Sequence, residues 1–144
     1  MQTDIHHQRI SELNHFLHNE LSASETYVRV FTKLMADPSG VLSKNHDCHR
    51  RRAALIHDQI IESGGHPNIS AETWSCVDTL LAAGAMKPSK HAIHLALEVG
   101  EGHGLKLYSG REGTDVIIAE FVRTHLLSAQ MWTHNRVRAL KIMP

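Results

Sequence analysis

Glu20 and Glu101 occupy positions where a carboxylate is hard to accommodate. Each falls on a stripe that recurs in steps of three and four residues and is otherwise largely apolar: Leu13, Leu17, Glu20, Ser24, Tyr27, Phe31, Leu34 in the first case, and His94, Leu97, Glu101, Leu105, Tyr108 in the second. A carboxylate on the inward face of a helix must find a cation or shift its pKa. Two further stripes carry candidate partners. One runs Leu42, His46, His49, Ala53, Ile56, Ile60; the other runs Ile117, Phe121, Leu127, Met131, His134, Val137. In the last helix two neighbouring stripes fit almost equally well, and His125 competes with His134 for the inward face. Thirteen histidines in 144 residues make imidazole abundant, and imidazole is the commonest protein ligand for transition metals. Glu20, His49, Glu101 and His134 would together make a reasonable ligand set for zinc, iron or manganese. The competing reading is that each glutamate is hydrogen-bonded to a tyrosine, arginine or histidine across the core.

The remaining histidines and acids are weaker candidates. Three of His6, His7, His15 and His18 fall off the first stripe and read as solvated. His46 lies one turn from His49, and Glu98 one turn before Glu101.

Positioning these groups requires long helices. The first is expected over about Asp4 to Met35, ended by Asp37-Pro38-Ser39-Gly40, where proline cannot continue the helix and glycine accepts left-handed angles. The second starts near Val41 and is stopped by Gly64-Gly65-His66-Pro67. From Asn68 to Ser89 the chain reads as a crossover with its own short helix, N-capped by Ser70, apolar around Trp74, Val77 and Leu80-Leu81, and closed by Gly84 and Pro88. A third long helix spans about Lys90 to Tyr108. A turn from Ser109-Gly110 through Gly113 leads into a fourth, about Thr114 to Ile142. Short links make two antiparallel hairpins, and the long link lets the second and third helices run parallel, which predicts an all-α four-helix bundle with one crossover. The halves read as copies: Glu20 to Tyr27 and Glu101 to Tyr108 share one spacing, and each half continues into a helix bearing His49 or His134.

Composition narrows the functional classes. The length fits one domain, residues 1–144. Fifteen basic and fifteen acidic residues cancel, and Arg50-Arg51-Arg52, the only basic cluster, reads as a solvated face, so no nucleic-acid footprint is expected. No run of apolar residues is long enough to span a bilayer, and the opening MQTDIHHQRI has no apolar core of a secretory signal, so a cytoplasmic protein is expected. Cys48 and Cys76 read as ordinary thiols. No nucleophile elbow and no glycine-rich phosphate loop occurs, so hydrolase chemistry and organic cofactors lack support.

Asn19-Glu20-Leu21 through Tyr27 (NELSASETY) resembles the first-helix iron motif of bacterioferritins, and Gly65-His66-Pro67-Asn68 resembles the turn closing their second helix. Over roughly residues 10–140 the chain is similar to an uncharacterised bacterial branch of the ferritin-like superfamily: SETY, GGxP, a crossover Trp, LEVGEGHGLKLY, and a histidine followed by NRVRAL. The resemblance implies that Glu20 and Glu101 match the single glutamates of the first and third helices, and His134 the histidine of the fourth. It also implies Glu-x-x-His on the second and fourth helices. Here His49 and Arg52 stand at those positions in the second, and Met131, with Gln130 beside it, stands at the glutamate position in the fourth.

Three functions follow as expectations: a remodelled, mononuclear transition-metal site, with iron or zinc as the ion; a metal-free structural or interaction module in which Arg52 pairs with Glu20 or Glu101; or a dinuclear oxidoreductase compensated by His46, Glu98 or Gln130. By family analogy the outer faces of the hairpins suit a homodimer.

Overall fold

The computed structural model describes residues 2–82, 88–111 and 115–140. The expected stops at Gly84 and Gly113, the helix start at Thr114 and the helix end at Ile142 lie outside the described residues. The described chain is helical, with no strand. Helix α1 spans Gln2–Leu34, α2 Val41–Glu62, α3 Ser75–Ala82 and α4 Lys90–Tyr108. The last long segment comprises α5 (Val116–Phe121), a π-helical turn (Val122–Leu126) and α6 (Leu127–Leu140). No described helix is long and apolar enough to cross a membrane.

The connections follow from local chemistry. Asp37 caps α2, its carboxylate accepting from the backbone N–H groups of Leu42 (3.1 Å) and Ser43 (2.9 Å). Gly64, at φ 84°, ends α2 in the left-handed region that glycine tolerates. Ser89 caps α4 by accepting from Ala92 N. Asp115 caps α5 and binds Arg9 Nε at 2.8 Å.

Polar residues along α1 strap the crossover down. Asn14 accepts from Asn68 N, Ser22 Oγ from Glu72 N, and Thr26 Oγ1 from Trp74 N. These side chains satisfy backbone donors that would otherwise lack partners beside the core. Trp74 is thereby laid on Gly100 of α4, where any Cβ would collide with the indole.

α1 packs against α2, and α4 against α6, with α2 also meeting α6 and α1 meeting α4. The interior divides into two apolar clusters. One holds Leu13, Phe16, Leu17, Ile56, Ile60 and Leu126; the other holds Tyr27, Val30, Leu42, Ile93, Leu97 and Val137. Between them lies a buried polar layer.

The stripes of α1, α2 and α4 match expectation with three local exceptions. Val30 is buried where Phe31 was expected, Asn45 where His46 was, and Gly104 where Leu105 was. The last segment departs further. Its buried residues are Ile118, Phe121, Val122, Leu126, Gln130, Thr133, Val137 and Leu140, whereas Ile117 and Met131 are exposed and Leu127 and His134 half-buried. Three successive four-residue steps, from Ile118 to Gln130, would drift by about 40° each on a regular α-helix. The wider π turn absorbs that drift and re-aims everything after it.

Candidate functional site

Glu20, His49, Arg52, Glu101, Gln130 and Thr133 meet in the polar layer, each almost or completely inaccessible to solvent. His49 sits between the two carboxylates. Its Nδ1 lies 3.0 Å from Glu20 Oε1, and its Nε2 2.7 Å from Glu101 Oε2. A carboxylate can only accept, so both ring nitrogens donate and the ring is an imidazolium. Burial pulls the His49 pKa down, but the charges of Glu101 and Glu20 outweigh burial and the nearby Arg52, holding it above its ordinary value.

Glu101 is saturated. Oε2 accepts from His49 and from Tyr27 Oη at 2.6 Å; Oε1 accepts from Thr133 Oγ1 at 2.7 Å and Gln130 Nε2 at 2.9 Å. Burial raises its pKa, but the His49 charge and the hydrogen bonds from His49, Tyr27 and Thr133 prevail and lower it to about 2. Tyr27 is fixed in turn by Asn45 Nδ2, which also donates to the Thr133 carbonyl, each at 3.0 Å. Burial, and then the Glu101 charge, push the Tyr27 pKa well above its ordinary value, so its hydroxyl stays protonated and donating.

Arg52 closes the network. Its guanidinium donates to Gln130 Oε1 and, at 3.0 Å, to Thr133 Oγ1, and it lies 3.4 Å from Glu20 Oε1. Two positive and two negative side chains therefore cancel within one dry layer. That balance is what makes such burial tolerable, since an isolated buried charge costs several kcal/mol. Trp74 covers the layer, its ring edge-on to Tyr27 and His49 at centroid distances of 6.1 Å each.

Glu20 is held less completely. It takes His49 and Arg52, and the hydroxyl of buried Tyr108 lies within its electrostatic reach without a hydrogen bond of normal geometry. Burial, followed by Glu20, raises the Tyr108 pKa well above its usual value.

Of the four expected ligands, the structure brings Glu20, His49 and Glu101 together and leaves His134 out. His134 is one position past Thr133, half-buried on the flank of α6, because the π turn directs Gln130 and Thr133 inward instead. His46 faces outward to Asp47, Glu98 lies 3.8 Å from Arg138, and His125 is exposed in the π turn. Sequence reasoning missed Asn45 and Thr133 as inward groups of the network and named Gln130 only as a compensating metal ligand. Asn45 had a visible signal, standing one turn before His49 on the α2 stripe.

The group does not fit a transition metal as arranged. As placed, the imidazole bridges the carboxylates through both nitrogens, so an ion would have to displace a proton and one of these hydrogen bonds to bind it. All of Glu101's oxygen positions are engaged by donors, and the guanidinium of Arg52 repels a cation. Among the described residues no cluster of three histidine, cysteine or acidic side chains has metal-holding geometry. Comparisons with family models, curated proteins and solved structures return no match.

Proposed function

We propose that the chain is a ferritin-like four-helix bundle in which two of its own side chains do the electrostatic work of the metals, and that it serves as a metal-free structural or interaction module. The observation that carries this reading is the double hydrogen bonding of His49 between Glu20 and Glu101, with Arg52 beside it. His49-x-x-Arg52 on α2 and Gln130-x-x-Thr133 on α6 stand at the spacing of the Glu-x-x-His pairs that hold metals in ferritin-like bundles. With Glu20 and Glu101 they make six inward groups, two of them cationic.

Activity would then reside on the outside. Leu95 and Val99 on α4 and Met131 and Trp132 on α6 are exposed, Trp132 to 64%. A second copy of the chain is the proposed partner, bound through the outer hairpin surface. Sedimentation of the wild type against Trp132→Glu tests it: a dimer that the substitution dissociates is expected, and a monomer at all concentrations contradicts it.

Metal content tests the core of the reading. Untagged wild-type protein should carry well under one transition metal per chain, and iron, zinc or manganese should leave its Tm unchanged. Arg52→His removes the internal cation and adds an imidazole one turn from His49. That variant should acquire metal and be stabilised by it through mass action. About one metal per wild-type chain, lost in Glu101→Gln, would favour the mononuclear-site reading, which the convergence of Glu20, His49 and Glu101 otherwise leaves as the alternative.

A further inference from the structure

At the far end of the bundle, the α1–α2 turn, the start of α4 and the end of α6 enclose a cavity of about 450 Å³. Leu34, Pro38, Leu42 and Leu140 give it apolar walls. This volume is in the usual range for small-molecule sites, roughly 300–1,000 Å³.

Its polar lining is one-sided. Asp37, the one acid on the wall among the described residues, is already engaged by the amides at the start of α2. Lys90, His91 and His94 remain, all from α4, whose first turn contains no acid. His94 is the informative group. Its side chain lines the cavity, only 6% of the residue is exposed, and it has no hydrogen-bond partner among the described residues. With no protein partner and with ring nitrogens that are not sealed away from water, the imidazole is open to a bond from a ligand in the cavity. Nor are the first-turn amides all satisfied, since Ser89 takes up only those of Ala92 and Ile93.

We propose that this cavity binds a small organic anion, a carboxylate on a short apolar chain, with its head between His94 and Lys90 and its tail among Leu34, Leu42 and Leu140. Cationic and donor groups beside an apolar chamber select that chemistry over a neutral lipid or a cation.

The pH dependence has a definite sign. Among the described residues, the titratable groups on the cavity wall with His94 are Lys90 and His91 on its own helix and Asp37 from the α1–α2 turn; α1 and α6 contribute Leu34 and Leu140. Burial, then Lys90 and His91, hold the His94 pKa below its usual value. A bound carboxylate would favour the protonated ring, so affinity should rise as pH falls from 8 to 6.

Titration calorimetry with octanoate, and with octanol as the uncharged match, tests the assignment on the full chain. Expected are saturable one-to-one binding of octanoate, tighter at pH 6 than at pH 8, and at least tenfold weaker binding of octanol. Lys90→Gln and His94→Gln should each weaken octanoate about tenfold, the loss of roughly one charged hydrogen bond, with circular dichroism confirming that both variants fold. No saturable binding, equal binding of octanol, or undiminished affinity in folded Lys90→Gln would overturn it.

Discussion

The two halves of the molecule carry matching glutamates and tyrosines but divide the remaining work unequally. Glu20 and Tyr27 on α1 correspond to Glu101 and Tyr108 on α4, while the pair His49 and Arg52 on α2 faces Gln130 and Thr133 on α6. The first half supplies both cations; the second supplies neutral side chains that donate and accept. The tyrosines are exchanged across the halves, Tyr27 bonding Glu101 while Tyr108 lies near Glu20. Only the Tyr27 contact is a hydrogen bond of normal geometry. What differs, then, is how completely each carboxylate is satisfied: Glu101 accepts from four groups, and Glu20 depends on the two cations.

The largest effect should therefore come from the cationic half. Arg52→Met leaves Glu20 with His49 alone and should cost about 3–5 kcal/mol, the usual penalty for breaking a buried ion pair. Thr133→Val, its counterpart on α6, removes one hydrogen bond to the Glu101 carboxylate and one from Arg52 but leaves every charge its opposite partner, and should cost about 1.5–3 kcal/mol. Urea unfolding of the two variants measures the gap, and equal losses would dissolve the distinction between the halves.

Titration should give the next largest effect. The folded pKa of Glu101 is depressed, so its contribution is complete above its unfolded value of 4.5 and is lost as pH falls toward about 2. That of His49 is raised, so its contribution is complete below 6.5 and is lost as pH rises through the folded value. Stability should peak between these limits. Urea midpoints across pH 2 to 9 should trace a dome, with the alkaline limb flattened in His49→Gln.

The smallest effect separates the tyrosines. Tyr27→Phe should cost about 1–2 kcal/mol, because Glu101 and Asn45 each lose a buried partner. Tyr108→Phe should cost less, within about 0.5 kcal/mol, since its hydroxyl, close to Glu20 and Asn19, makes no hydrogen bond of normal geometry. A large loss for Tyr108→Phe would mean that its hydroxyl is held after all.

The same asymmetry decides how much could be read from the sequence. In α2 the regular period makes most of the inward set readable from Leu42 to Ile60, His49 included, but it names His46 in place of Asn45, and Arg52, grouped by sequence with Arg50 and Arg51 as a solvated face, is buried beside the glutamates as the alternative pairing anticipates. Glu20 and Glu101 declare themselves as acids among leucines. In the last segment the period is broken by the π turn, which no single residue between Val122 and Leu126 announces. One position of slip exchanges Gln130 and Thr133 for Met131 and His134, turning a hydrogen-bonding surface into an apparent ligand. Asn45 was passed over for a different reason. Its partners, Tyr27 and the Thr133 carbonyl, lie on other helices and become visible only when α1 and α6 are packed against α2.

The protonation of His49 bears most directly on the claim that internal cations occupy the place of metal. Nitrogen-15 NMR of the histidine rings at pH 7.5, assigned by difference against His49→Gln, should show both His49 nitrogens protonated and unmoved by one equivalent of zinc. A bare ring nitrogen that shifts on adding zinc would contradict the account.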